Sequence, residues 1–320
     1  MKETSVVAGI PGFFEILSDG SVNRFPVPAV PTSPDFANGF KSKDIVIDAD
    51  KPITARIFVP DTGDHRGPLP VVLHFHGGGF CVGSTTSRGF HYFLAGLCVK
   101  SRALIVSVDY RLAPEHKIPA AYEDGYSSLL WLIGSSASAV EPWLERADLS
   151  RVFLSGESAG ANIVHHVALR LARDRMLPGV RIKGLVMAHP FFGGEERTES
   201  ELAETARGWM VLSDATWRVC LPEGADRDHW ACNFDKGDRI VAAGDWPAAA
   251  AIVFVAGKDV LMERGLMYAE FLKKRKLLVG LDEVEVVVAQ EQDHGFHCLD
   301  PHSQDSHLLT TQMAYFINHH

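Results

Sequence analysis

The sequence has no apolar run approaching the roughly 18 residues a membrane helix needs, so no transmembrane segment is expected. It has no run of five basic residues either. With 31 Lys+Arg against 40 Asp+Glu and a net charge of -9, a nucleic-acid or anionic-membrane partner is excluded on electrostatic grounds. The densest basic cluster, Lys273, Lys274, Arg275 and Lys276, falls near the end of a predicted helix, where cations favour the dipole. C-x-x-C, H-E-x-x-H and G-K-[ST] are all missing. No metal, dinucleotide or other cofactor is expected from the motifs present. His165 and His166 are adjacent and would diverge by about 100° on a helix, which removes the most tempting metal pair. The five cysteines (Cys81, Cys98, Cys220, Cys232, Cys298) are odd in number and widely spaced, which points to free thiols in a reducing compartment. Behind Lys2 there is no apolar segment, so no secretory leader is expected, and the location expected is cytoplasmic, extending to the nucleus.

Apolar residues make up 46% and charged residues 22% of the 320, an ordinary balance for a chain that folds around a core. Short β-branched runs alternate with helical patterns. The strands predicted are Ala55 to Val59, Val71 to Phe75, Leu104 to Val108, Val152 to Ser155, Gly184 to Ala188, Ile252 to Val255 and Val284 to Val288. The helices predicted are Pro119 to Ile133, Ala159 to Arg173, Glu263 to Leu277 and Ser303 to Ile317. Several strands are apolar throughout, as strands buried on both faces are. The fold class is therefore α/β, a mostly parallel central sheet with helices on both faces. Two stretches break the alternation. Residues 1–45 carry Pro11, Pro26, Pro28, Pro31 and Pro34 beside Phe13 and Phe14, and are expected to lie over the core as a cap segment. Residues 191–250, polar and containing Trp209, Trp217, Trp230 and Trp246, look like an insertion covering one end of the sheet within a single domain spanning 1–320.

Gly156-Glu157-Ser158-Ala159-Gly160 is the one G-x-S-x-G of the chain, with an apolar run before it and a helical stretch after it. Strand, sharp turn and helix make a nucleophile elbow, in which flanking glycines are needed because a Cβ would strike the neighbouring backbone. Read alone, the pattern is equally a Gly-rich turn with a helix-capping serine. Upstream, His76-Gly77-Gly78-Gly79-Phe80 follows a predicted strand, and its amides suit an oxyanion hole made by Gly78, Gly79 and the amide of Ala159. A phosphate-binding loop is the alternative, but the G-x-G-x-x-G spacing is missing. Asp259 follows the strand Ile252 to Val255, and His294 follows Val284 to Val288, giving the chain order Ser, Asp, His at strand ends. Glu263 and His297 are rivals for acid and base. Glu263 has already entered a helix and His297 lies further from its strand. Phe80, Phe191 and Phe192, with the tryptophans of the insertion, suggest an apolar pocket for a small to medium neutral ester, although each aromatic is equally suited to core packing.

These residues resemble the plant carboxylesterases of the hormone-sensitive-lipase group of α/β-hydrolases, a family that includes the gibberellin receptor. The resemblance runs through Phe14 to Phe25, His76 to Phe80, Asp109 to Pro119, Arg151 to His166, Phe191 to Ser200, Leu221 to Asn233 and the Gly257-Lys258-Asp259 turn. It implies an α/β-hydrolase fold, a Ser158, Asp259, His294 triad, an oxyanion hole at Gly78, Gly79 and Ala159, and an N-terminal segment capping the acyl pocket. Ser158 is present where the family's hydroxyisoflavanone dehydratases carry threonine, and His294 where the receptor has lost it, so the resemblance implies a serine carboxylesterase. The chain departs from the family at Glu157, commonly Asp, and at Glu263, which replaces a second aspartate. A lyase, cyclase or acyltransferase using the same triad, and a non-hydrolytic small-molecule receptor, are the rival functions.

Overall fold

The computed structural model describes residues 5–137, 140–174, 180–236, 248–279 and 283–320. The chain opens with a small antiparallel sheet, β1 (Val6–Ile10), β2 (Phe14–Leu17) and β3 (Val22–Arg24). The main sheet is built from β4 (Phe40–Asp48), β5 (Ile53–Pro60), β6 (Leu69–Phe75), β7 (Leu104–Asp109), β8 (Ala147–Glu157), β9 (Ile182–Ala188), β10 (Ala248–Ala256) and β11 (Glu283–Ala289). Its order is β11-β10-β9-β8-β6-β7-β5-β4, parallel from β11 to β7 and antiparallel across β7-β5 and β5-β4. Between the strands run α1 (Arg88–Ser101), α2 (Ala120–Ala137), α3 (Ala159–Arg173), α4 (Glu199–Leu202), α5 (Arg207–Cys220) and α6 (Met262–Val279), and after β11 come α7 (Phe296–Leu299) and α8 (Gln304–His319).

The period-2 geometry of the strands divides the core in two. Val71 and Leu73 of β6 face the cluster formed with Leu129 of α2, Ile163 and Val167 of α3 and Tyr268 of α6. Val72 faces the other cluster, with Leu94 and Leu97 of α1 and Leu309 and Met313 of α8. Every residue of β6 is buried, which accounts for the apolar character, broken only by His74, that marked it as a strand. All seven predicted strands and all four predicted helices fall on observed elements, within a few residues at their ends.

One boundary differs from expectation. The N-terminal stretch leaves the cap before residue 45, because Phe40 onward pairs with β5 as the edge strand of the main sheet. Residues 6–24 of that stretch form a three-stranded sheet, made possible by Gly9, whose Cβ would lie 2.5 Å from the Phe14 carbonyl oxygen across the hairpin. Arg24 anchors this sheet: its guanidinium donates to the carbonyls of Cys81 and Ala113 and pairs with Glu115 at 2.6 Å. Helices α4 and α5 lie within the expected 191–250 insertion, whereas residues 237–247, Trp246 among them, lie outside the described residues. A buried ion pair, Arg264 of α6 with Glu201 of α4 at 2.8 Å, holds this layer to the core.

Candidate active site

Ser158 stands at the junction of β8 and α3 with φ 53° and ψ -120°, a conformation that L-residues rarely hold. The turn that imposes it is too tight for side chains on either flank. A Cβ on Gly156 would lie 2.4 Å from the Gly160 carbonyl carbon, and one on Gly160 would lie 1.9 Å from the Phe75 carbonyl oxygen. Backbone bonds brace the elbow, since the Ser158 N–H donates to Ala188 and its carbonyl accepts from Phe191. The hydroxyl is thereby presented at the N-terminus of α3, at the C-terminal end of the parallel strands.

His294 and Asp259 arrive there from the loops after β11 and β10. His294 Nε2 lies 2.9 Å from Ser158 Oγ, and its Nδ1 lies 2.7 Å from Asp259 Oδ2. The other carboxylate oxygen of Asp259 accepts the Leu261 N–H at 2.9 Å, which fixes the rotation of the group. Burial alone would lower the His294 pKa, but the charge and hydrogen bond of Asp259 outweigh it and raise it above 6.5. Burial likewise works to raise the Asp259 pKa, and the facing imidazole reverses the sign, holding the carboxyl below 3.8. Behind the imidazole, the Gly295 N–H donates to His189 Nδ1 at 3.1 Å, and the Trp209 ring covers His294 edge-on at 5.5 Å.

The glycine loop after β6 closes the other side. Gly78 has φ +107° and a Cβ there would meet the Val82 carbonyl oxygen at 2.1 Å, so only glycine fits. The Gly77 N–H is committed to Glu157 Oε1 at 2.6 Å, leaving the amides of Gly78 and Gly79 as the next donors along the loop. Tyr110 stacks on His76 at 4.5 Å and donates its hydroxyl to the His76 carbonyl, fixing the strand end that launches the loop. Glu157, the residue that departs from the resembled family, is thus the tie between elbow and loop.

Ser158, His294, Gly78 and Gly79 border one cavity of about 340 Å³, while Ala159 follows the serine as the first residue of α3. The lining is mainly apolar, with Ile10, Phe13 and Phe14 from the N-terminal sheet, Trp209 and Leu212 from α5, and Leu261, while Glu157, Ser213, Thr216 and Cys298 add polar atoms. Among the described residues no lysine or arginine borders it. Of the three phenylalanines expected in the pocket, Phe191 lines it and the other two do not. Phe80 is buried among Tyr122, Phe191 and Trp217, and Phe192 against Tyr268 and Phe234, so both belong to the core. Glu263 and His297 stand apart from the serine's partners. Glu263 accepts the Ser200 N–H at 2.7 Å, and His297 is buried against Phe93. The lining residues of α5 carry no motif, their one sequence signal being the aromatic content of the insertion, whereas Phe14 opens the Phe14 to Phe25 stretch that carried the resemblance.

Such an arrangement can deprotonate the serine, attack an electrophilic carbonyl and stabilise the resulting oxyanion. Residues 72–298 match the family model described as alpha/beta hydrolase fold. Among curated proteins, the chain is 38% identical to "Probable carboxylesterase 6" of Arabidopsis thaliana, over 98% of this chain and 92% of that one. It is 35% identical to "Tuliposide A-converting enzyme 2, chloroplastic" of Tulipa gesneriana, over 98% of this chain and 79% of the relative. Among solved structures, an esterase of Pyrobaculum calidifontis superposes with a TM-score of 0.71 at 27% identity, covering 87% of this chain and 85% of that one.

Proposed function

We propose that this chain, which belongs to the α/β-hydrolase fold family and to its plant carboxylesterase branch, is a carboxylic ester hydrolase that works through an acyl-enzyme on Ser158. The observation that carries the reading is the hydrogen-bonded line from Ser158 Oγ through His294 to Asp259, at 2.9 and 2.7 Å, opening on an apolar cavity. His294 takes the serine proton as Oγ attacks the ester carbonyl. The same imidazole then protonates the departing alcohol and activates the water that releases the acid. Asp259 holds the imidazole in the tautomer with its proton on Nδ1 and stabilises the imidazolium. The amides of Gly78, Gly79 and Ala159 take the developing oxyanion, each donor worth about 2.7–4 kcal/mol.

The substrate class follows from the walls. A cavity of about 340 Å³ without a bordering lysine or arginine suits small to medium neutral esters. Among the described residues no helix is long and apolar enough to cross a membrane, and all five cysteines are free, which favours the cytoplasm. The test is fluorophosphonate labelling read by intact mass, with turnover of p-nitrophenyl esters from acetate to octanoate on the same samples. Wild type should label and turn over the shorter esters, and Ser158→Ala should do neither. Undiminished turnover in Ser158→Ala would remove the serine from the mechanism. A second outcome is that the same groups perform elimination, cyclisation or acyl transfer on a specialised metabolite, the tulip relative being named for converting one, tuliposide A. Labelling without useful ester turnover would favour it, and no labelling would favour a receptor.

A further inference from the structure

Directly behind the elbow lies a group of polar side chains that the proposed chemistry does not use. One donor atom from each of Glu157, His297 and Cys298 lies within 4.8 Å of the other two. His297 is fully buried, and neither of its ring nitrogens has a hydrogen-bond partner among the described residues. Glu157 Oε2 is also buried without one, although its other oxygen holds the Gly77 amide. His74 Nε2 stands 2.9 Å from Glu157 Oε2 but out of hydrogen-bond alignment. Buried polar atoms without partners are rare, and several in one place call for an occupant that supplies the missing contacts.

Imidazole nitrogen, thiolate sulfur and carboxylate oxygen are the three donor types of protein zinc sites. Two of the three become anions on ligation, so a dication leaves the cluster electrically neutral in a place where unbalanced charge is expensive. We propose that Glu157, His297 and Cys298 form a binding site for a borderline-soft divalent cation of the zinc type, with His74 orienting the carboxylate from outside and water completing the coordination. On binding, the Cys298 thiol releases its proton to solvent and the sulfur bonds the metal; no electron is transferred. The ion ties α7, which follows the loop of His294, to the elbow that carries Ser158. The site shares Glu157 with the tie between elbow and glycine loop, but it rests on its own observations and stands whether or not the chain cleaves esters.

The test uses the full-length protein stripped with a chelator and titrated with Co²⁺ as a spectroscopic probe, then with Zn²⁺ against a chromophoric chelator. Wild type should bind one equivalent, show a thiolate-to-cobalt charge-transfer band in the near ultraviolet, and melt at a higher temperature with Zn²⁺. Loss of an outer-shell partner weakens metal sites about 10–100-fold, so loss of the sulfur in Cys298→Ser should weaken Zn²⁺ binding at least tenfold and abolish the band. Glu157→Gln should weaken binding while keeping the band, which covers the case of a misfolded serine variant. A surface cluster of Glu283, Glu285 and His320 is the internal control. His320→Ala should leave the band and the tight site untouched. Absence of the band in wild type, its persistence in Cys298→Ser, or loss of binding only in His320→Ala would each overturn the assignment.

Discussion

Asp259→Asn removes one charge and adds one amide, and the surroundings dictate which way that amide turns. The Leu261 N–H points at one oxygen of Asp259 from 2.9 Å, so the asparagine must offer its carbonyl oxygen there to avoid setting two donors face to face. Its NH₂ is then directed at His294 Nδ1, now 2.7 Å from a carboxylate oxygen. A donor in that place forces Nδ1 to accept, which moves the imidazole proton to Nε2, the atom facing Ser158 Oγ. The base then has no lone pair for the serine proton. The expected loss in kcat is about 10⁴-fold, equivalent to about 5.4 kcal/mol, the scale seen where a triad is locked in the wrong tautomer. The variant also loses the larger influences that raise the His294 pKa, leaving burial opposed only by the charge of Glu157. Activity needs neutral His294, and in wild type the acid limb of kcat/KM should therefore lie above pH 6.5, moving below it in Asp259→Asn. The assay is the pH profile of p-nitrophenyl ester turnover for both proteins, with Tm and the KM showing that the pocket is intact. A loss under tenfold, or an acid limb that stays in place, would refute the orientation argument.

Gly79→Ala should depress kcat, because its Cβ would sit 2.7 Å from Thr216 Cγ2 on α5 at a φ of +59°. Adding Thr216→Ser, which deletes that methyl and keeps the hydroxyl bond to Leu212, should recover part of the loss; no recovery would mean that α5 does not press on the loop. Phe14→Ala should destabilise the fold by about 3–5 kcal/mol in denaturant titration and shift acyl preference toward longer chains. An unchanged chain-length profile would take Phe14 out of the acyl wall. Arg264→Met leaves the buried Glu201 carboxylate unpaired and should cost about 3–5 kcal/mol, partly restored by adding Glu201→Gln. A single-variant loss below about 1 kcal/mol would show that the carboxylate is reached by water.

What the sequence made legible was what backbone sterics force into residue type. Gly156, Gly160 and Gly78 admit no Cβ, so the elbow and the glycine loop are written as glycines. The inner strands β6 and β9 are buried almost throughout and are written as predominantly apolar runs. Asp259 and His294 could be placed by their distance past a strand, but their partnership is a matter of two loops meeting in space. The cavity walls were harder. α5 presents Leu212 and Trp209 to the pocket and Trp217 to the core, and local pattern alone does not say which face meets which neighbour. Phe80 shows why: the residue directly after the loop glycines turns its ring away, at φ 61°, into contact with Trp217. Glu157 was conspicuous as a departure, yet its task became visible only once Gly77, eighty positions away, stood 2.6 Å from it.

The cavity is closed by Ile10 and Phe14 at one end of the chain and by His294 and Leu299 at the other. A ribosome delivers these pieces in order, first wall first and proton acceptor last. While the body of the sheet assembles, the hairpin that will roof the pocket has nothing to cover, and the serine has no base. A growing chain that already carries Ser158 has no base for it until His294 emerges, and a truncation between the two leaves the hydroxyl inert. Fusion partners attached at the front face a related constraint, since they extend from a strand pair whose inner side is the wall of the binding chamber.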